Sequence, residues 1–157
     1  MANFVTSTLD PSDSSLAYAI FRLTFGVNIM FRGIVRIMNG LDTFAGGMLK
    51  QFEMTWFPPS LIDTFAHTLP WIETALGLLL ILGLWTRPAL VVGGLMMTSL
   101  TFGTMFLQNF DLAWLQLTYA IGFFLLLAAR AWNVISLDAL LFGSDARATR
   151  AKAAVSP

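Results

Sequence analysis

The sequence predicts an all-α protein that crosses a membrane as a bundle of four helices. Hydrophobic residues make up 57% of the 157-residue chain and charged residues only 11%, whereas soluble domains carry about 25% charged residues. Four apolar stretches reach or approach the roughly 20 residues that span the hydrocarbon core of a bilayer. Because the connections after the second and third stretches are very short, the last three helices are expected to be antiparallel neighbours.

The chain is expected to form one membrane domain, with helices at about residues 16–38, 60–85, 88–107 and 112–130. The long connection between the first two helices is too apolar, from Phe44 to Phe57, for a solvated linker. We expect it to lie on the outer membrane surface or to fold over the bundle as a lid. Residues 131–142 are expected to form a short interfacial helix capped by Ser136, and residues 143–157 a frayed tail.

The distribution of positive charge predicts the orientation of the bundle. Five basic residues fall on one side of the membrane, namely Arg87, Arg130, Arg147, Arg150 and Lys152. The opposite side has only Arg36 and Lys50. Since loops rich in lysine and arginine remain in the cytoplasm, both termini are expected to be cytoplasmic. The long first loop is then expected outside. The membrane is expected to be a prokaryotic cytoplasmic membrane.

The composition excludes several classes of function. Nine basic and nine acidic residues balance, so the net charge gives no reason to expect a nucleic acid as a partner. The chain has no cysteine and one histidine, His67, which excludes thiolate metal ligands and bis-histidine haem ligation by a single chain. We therefore expect neither a metal nor a haem in this chain, and any electron carrier must come from outside it.

Ionisable side chains inside the predicted helices point to a functional site, because they are costly in a bilayer. Arg22, Arg32 and Arg36 project within about 80° of one another on the first helix. Glu73, in the second helix, is expected at the same depth as Arg32, so the two are predicted to form a buried ion pair. The same comparison of depths places Arg36 near His67.

Polar residues of the last two helices, including Gln116 and Tyr119, extend this cluster in the outer half of the membrane. The positive charge left by two arginines and one carboxylate suits a small anion or a quinone headgroup. The alternative is that the cluster only holds the helices together. For Arg36 and Arg22 a further alternative is that the side chain extends to the nearer interface, and Arg22 could instead belong to a second, inner site.

The segments FRLTFGVNIMFRG, ETALGLLLILGLWTRPAL and SLDALL resemble those of the DoxX/DoxD family of small four-helix membrane proteins. The resemblance extends from about Ala17 to Leu141. It implies a membrane subunit connected with thiosulfate:quinone oxidoreduction, with quinone as the electron acceptor.

The leading hypothesis is therefore a subunit of a quinone-linked membrane oxidoreductase. Glu73 and Arg32 are the predicted catalytic residues, and the predicted substrate or quinone ligands are Arg22, Arg36, His67, Gln116 and Tyr119. The expected partners are the lipid bilayer and either a second redox subunit, a larger membrane complex or further copies of the chain. The competing hypothesis is a non-catalytic scaffold or assembly subunit; a transporter is disfavoured because no inverted repeats are evident.

Overall fold

The computed structural model describes residues 10–142, which form an all-α bundle. The helices are α1 (Pro11–Met38), α2 (Leu41–Phe52), α3 (Pro59–Leu82), α4 (Thr86–Phe106) and α5 (Phe110–Ala128). A 3-10 turn at Arg130–Trp132 and helical residues 137–142 follow. The predicted fold class is thus confirmed. The tail that was predicted to be frayed lies outside the described residues.

Four of these helices, α1, α3, α4 and α5, are long and apolar enough to cross a membrane. Their outer surface carries large apolar side chains: Ile20 is 56%, Leu95 62% and Phe124 67% exposed. We call the end of the bundle that carries α2 and the α4–α5 connection the α2 end. The other end, with the α3–α4 connection and residues 129–142, is the tail end.

The helices α1 and α3 form the main packing pair of the bundle. A methyl group on Gly33 would lie 2.4 Å from the carbonyl oxygen of Pro70, and one on Gly77 would lie 2.4 Å from the backbone nitrogen of Met30. Because these neighbours are backbone atoms, no side-chain rotation could relieve the contact. The two glycines therefore set how closely α1 and α3 approach, as small residues do in membrane helix pairs.

The long first loop contains the helix α2, which folds over the bundle as a lid. Gly40 precedes it with a φ of 96°, a conformation that glycine adopts without steric cost. Ala45 is only 2% exposed, and Phe44 and Met48 pack against the hydrophobic core. The loop was expected either to lie on the membrane surface or to fold over the bundle as a lid, and the structure has the lid.

The segment after α5 closes the tail end of the bundle. The Asp138 carboxylate accepts hydrogen bonds from the backbone N–H groups of Trp85 (2.7 Å) and Thr86 (2.8 Å). It thereby satisfies donors that would otherwise lack a partner at the start of α4. Ser136 accepts a hydrogen bond from the N–H of Ala139 at 3.1 Å, which is the predicted cap of the short helix.

Candidate functional site

An ion pair between α1 and α3 lies inside the bundle near the α2 end. Glu73 is 0% exposed, and its Oε2 lies 2.6 Å from Nη1 of Arg36. The predicted pair between Arg32 and Glu73 is therefore wrong. Equal Cα depth does not give side-chain contact here, because helical side chains lean toward the N-terminus of their own helix. In antiparallel helices this brings Arg36 and Glu73 toward each other, across about one turn.

Arg36 also contacts the lid. Its guanidinium carbon lies 4.5 Å from the ring centroid of Phe44, close enough for a cation–π interaction. The ion pair thus ties α1, α2 and α3 together at one point. Arg36 does not simply extend to the interface, which was one of the alternatives for this residue, and it does not contact His67.

Arg32 lies one turn before Arg36 and has a different environment. Its guanidinium carbon lies 4.5 Å from the ring centroid of Tyr119, while the Tyr119 hydroxyl donates a hydrogen bond to Oδ1 of Asn28 at 2.7 Å. Within residues 10–142, no carboxylate forms an ion pair with Arg32. Arg32 therefore has a charge that no carboxylate among residues 10–142 compensates.

Gln116 joins the last two transmembrane helices. Its Oε1 accepts a hydrogen bond from the Thr104 hydroxyl at 2.7 Å, and the contact is buried. This bond fixes the amide in the interior while leaving its NH₂ group as a donor. Gln116 thus forms the bond between helices that was the alternative to a ligand-binding role. The bond uses only the amide oxygen, so the NH₂ group could still bind a ligand.

A cavity of about 820 Å³ occupies the α2 end of the bundle. Each of the helices α1 to α5 contributes to its walls, and most of the lining is apolar. The lining residues are Arg32, Arg36, Thr43, Phe44, Gly47, Met48, Gln51, Phe52, Phe57, Leu61, Ile62, Phe65, Leu69, Thr98, Ser99, Leu100, Phe102, Gly103, Thr104, Leu107, Leu112, Leu115 and Gln116. Three predicted site residues, Arg32, Arg36 and Gln116, therefore share one cavity. Glu73 and Tyr119 reach it indirectly, because each holds one of the arginines.

Two other predicted ligand residues lie outside this cavity. His67 connects α2 with α3: its Nε2 lies 3.2 Å from Oδ1 of Asp42, and its Nδ1 lies 2.9 Å from the carbonyl oxygen of Asp63. Within the described part of the chain, no three His, Cys, Asp or Glu side chains form a group that could hold a metal ion. His67 thus helps to hold the lid rather than to line the cavity.

Arg22 lies at the tail end, where it is 4% exposed. Its guanidinium donates to the carbonyl oxygens of Leu80 at 3.0 Å and Ile135 at 2.8 Å. The side chain therefore ties α1 to the end of α3 and to the segment after α5. It neither extends to the interface nor contributes to the cavity at the α2 end.

The cavity residues that α2 supplies were not predicted from the sequence. Phe44, Met48 and Phe52 follow one another at four-residue spacing, which is the spacing of one face of a helix. This periodicity was sufficient to predict α2 within the apolar loop. It would also have placed Gln51, a polar lining residue, beside that face.

The fold and the site define an integral membrane protein of four transmembrane helices, with a helical lid over an apolar, arginine-containing cavity. The chain belongs to the family described as methylamine utilisation protein MauE, whose model matches residues 14–133. A comparison with curated proteins found no match, and a comparison with solved structures found none either.

The resemblance to the DoxX/DoxD family is therefore wrong, because the family model that matches is a different one. The thiosulfate chemistry that the resemblance implied loses its basis with it. The residues behind the resemblance have structural roles in this protein: Gly33 and Gly77 allow α1 and α3 to pack closely, and Asp138 caps α4. Such roles can recur in any small bundle of membrane helices.

Proposed function

We propose that this chain is the membrane-integral subunit of a redox system for methylamine utilisation, and that its cavity, on the outer side of the membrane, binds a quinone. The observation that carries the proposal is the cavity of about 820 Å³, which is mainly apolar but contains the guanidinium groups of Arg32 and Arg36. The connection with methylamine comes from the description of the family.

The chemistry of the lining fits a quinone. Aromatic and aliphatic side chains such as Phe65, Leu69 and Leu100 suit an uncharged ring, and ligand pockets of this size generally combine an apolar lining with a few polar groups. Quinone carbonyl oxygens accept hydrogen bonds, and the Arg32 guanidinium and the Gln116 NH₂ group are donors without an acceptor among the described residues.

A quinone also needs space for its lipid-soluble tail. Several lining residues lie partly at the surface of the bundle: Leu61 is 55%, Phe102 56% and Leu115 47% exposed. The lining is thus continuous with the surface that faces lipid. In this proposal the ring lies beside the arginines and the tail passes between the helices into the bilayer.

The chain contributes binding and orientation, whereas the quinone supplies the redox chemistry. Oxidation of methylamine with water gives formaldehyde, ammonia, an electron pair and two protons, and a quinone that takes up the electron pair and both protons becomes a hydroquinone. Because this chain has no cysteine and a single histidine, we assign the electron-donating centre to a partner protein that oxidises the amine.

A non-catalytic assembly subunit is the second candidate, and a specific observation favours it. The polar groups of the cluster are largely bonded to one another: Arg36 to Glu73, Gln116 to Thr104 and Tyr119 to Asn28. Bonds of this kind hold membrane helices together without any ligand. Among the described cavity residues, the Arg32 guanidinium and the Gln116 NH₂ group are donors left without an acceptor.

Thermal unfolding of the purified protein with a short-chain ubiquinone analogue tests the proposal. A ligand at one hundred times its Kd stabilises the folded state by about 2.7 kcal/mol, so the wild-type Tm is expected to rise measurably. The variant Arg32→Gln should fold normally, because Arg32 has no carboxylate partner in the described structure, but its Tm should respond much less.

Two controls accompany this measurement. Arg87→Gln removes an exposed arginine at the tail end and should leave the full response to the analogue. An alkyl alcohol with the same tail but no quinone ring should shift neither protein. If the wild-type Tm does not rise with the analogue, or rises equally in Arg32→Gln, the quinone proposal is wrong and the assembly role becomes the better account.

A further inference from the structure

A line of polar side chains runs along α1 beside α5. Thr24, Asn28 and Arg32 are spaced by four residues, so they lie on one face of the helix. Thr24 and Asn28 are exposed, although both belong to a helix that is long and apolar enough to cross a membrane. We call these three residues the polar stripe. The rest of the exposed face of α1 consists largely of apolar side chains, including Phe31 and Val35.

The hydrogen-bonding capacity of the polar stripe is only partly used. Oδ1 of Asn28 accepts a bond from Tyr119, but the NH₂ group of Asn28 and the Thr24 hydroxyl have no partner among residues 10–142. Other exposed threonines differ: Thr98 and Thr118 each donate to the carbonyl oxygen four residues earlier, at 3.1 Å.

The depth of the polar stripe makes these free groups costly. With a rise of 1.5 Å per residue, Asn28 lies about 15 Å and Arg32 about 9 Å before the end of α1 at Met38. Both positions fall within the hydrocarbon region for a helix that spans the bilayer. Lipid tails offer no hydrogen bonds there, so polar groups at this depth need a protein partner.

We propose that the polar stripe binds a transmembrane helix of another protein, and that this helix carries a side-chain carboxylate. One carboxylate can accept a hydrogen bond from the Asn28 NH₂ group and form an ion pair with Arg32, one turn away. A quinone carbonyl in the cavity would accept a hydrogen bond from Arg32 but would not compensate its charge. The inference therefore does not depend on the proposed ligand.

A second copy of this chain does not fit the polar stripe. The only acidic side chain deep within the four transmembrane helices is Glu73, which is buried and paired with Arg36; the others lie near helix starts, as Asp13 and Asp111 do. A symmetric contact through Asn28 would also place Arg32 of one copy near Arg32 of the other, where like charges repel.

The test uses the whole chain in uncharged lipid vesicles, with a synthetic transmembrane peptide of leucine and alanine as the probe. One peptide carries a central glutamate and the other a glutamine at the same position. Energy transfer between labelled protein and peptide measures association. We expect the glutamate peptide to bind wild type at least several-fold more tightly than the glutamine peptide. Thr24→Leu and Asn28→Leu should each reduce this preference.

Thr118→Val is the matched control, because it removes an exposed hydroxyl that is already bonded within its own helix; it should keep the full preference. Thr24→Leu breaks no hydrogen bond of the described structure, so it remains informative if Asn28→Leu fails to fold. The quinone response of Thr24→Leu should persist, which separates this test from that of the proposed function.

Three results would overturn the proposal. The first is equal binding of the two peptides. The second is loss of the glutamate preference when anionic phospholipid is added, which would identify a lipid phosphate as the occupant. The third is efficient disulfide dimerisation of an Asn28→Cys variant, since the chain has no other cysteine; this would identify a second copy.

Discussion

Glu73 is a fully buried carboxylate near the centre of α3, a helix that is long and apolar enough to cross a membrane. An isolated carboxylate would be very costly there, so an arginine from the neighbouring helix has to accompany it. The sequence was sufficient to predict that α1 supplies this arginine. It could not decide between Arg32 and Arg36, because that choice depends on the direction in which two side chains lean and on the ring of Phe44 in α2, a helix that was not predicted.

The first prediction concerns the coupling of Arg36 with Glu73. Replacing Glu73 by Gln leaves the charge of Arg36 without its partner and should destabilise the protein by about 3 kcal/mol. The double variant Arg36→Met/Glu73→Leu should lose less than the sum of the single variants. The measurement is the free energy of unfolding in mixed micelles.

Arg32 provides the control for this cycle. Because Arg32 forms no ion pair with Glu73 in the structure, the coupling between Arg32→Met and Glu73→Leu should be clearly smaller than that between Arg36→Met and Glu73→Leu. Strong coupling of Glu73 with Arg32, together with additive behaviour of Arg36, would contradict the ion pair described here and restore the pairing that the sequence first suggested.

At the scale of the helices, the four long spans followed from length and hydropathy, but their contacts did not. The glycines of α1 and α3 are not distinguishable in the sequence from glycines elsewhere. Gly94, for example, has no neighbouring atom within 4 Å of an added methyl group. Which glycine is essential depends on which face of its helix meets the neighbouring helix. Because a membrane helix is apolar on nearly all of its faces, the sequence does not show which face that is.

The second prediction uses this difference. Gly77→Ala places a methyl group against the backbone of Met30 in α1, so α1 and α3 must separate, at a cost of about 1–3 kcal/mol. Gly94→Ala in α4 is the matched control, and it should be neutral or stabilising by about 0.5–1 kcal/mol, since alanine favours a helix more than glycine does. Thermal unfolding in detergent compares the two. A Tm for Gly77→Ala at or above that of wild type would show that α1 and α3 are not in close contact.

At the scale of the whole molecule, the two ends of the bundle differ in structure: the α2 end has a lid and a buried ion pair, and the tail end is closed by the segment after α5. The α2 end has the cavity and the unpaired charge of Arg32. The tail end is fastened by Arg22 and Asp138, which bond mainly to backbone atoms. The sequence predicted that polar residues of several helices meet in one half. It could not predict the volume between them, because a cavity is a property of how the helices diverge.

The last prediction is the orientation, with the α2 end outside and both termini inside. Within the described residues the positive charges of the two ends balance, with Arg22, Arg87 and Arg130 at the tail end and Arg32, Arg36 and Lys50 at the α2 end. Arg36, however, is neutralised by Glu73, and the C-terminal stretch outside the described residues adds Arg147, Arg150 and Lys152. Positive charge should therefore keep the tail end in the cytoplasm.

Met54 is 96% exposed at the α2 end, so a membrane-impermeant maleimide should label Met54→Cys in intact cells but Ser156→Cys only after permeabilisation. The cysteine-free wild type is the background control. Labelling of Ser156→Cys in intact cells would show that the orientation is the opposite of the predicted one. The proposed quinone site would then lie on the cytoplasmic side.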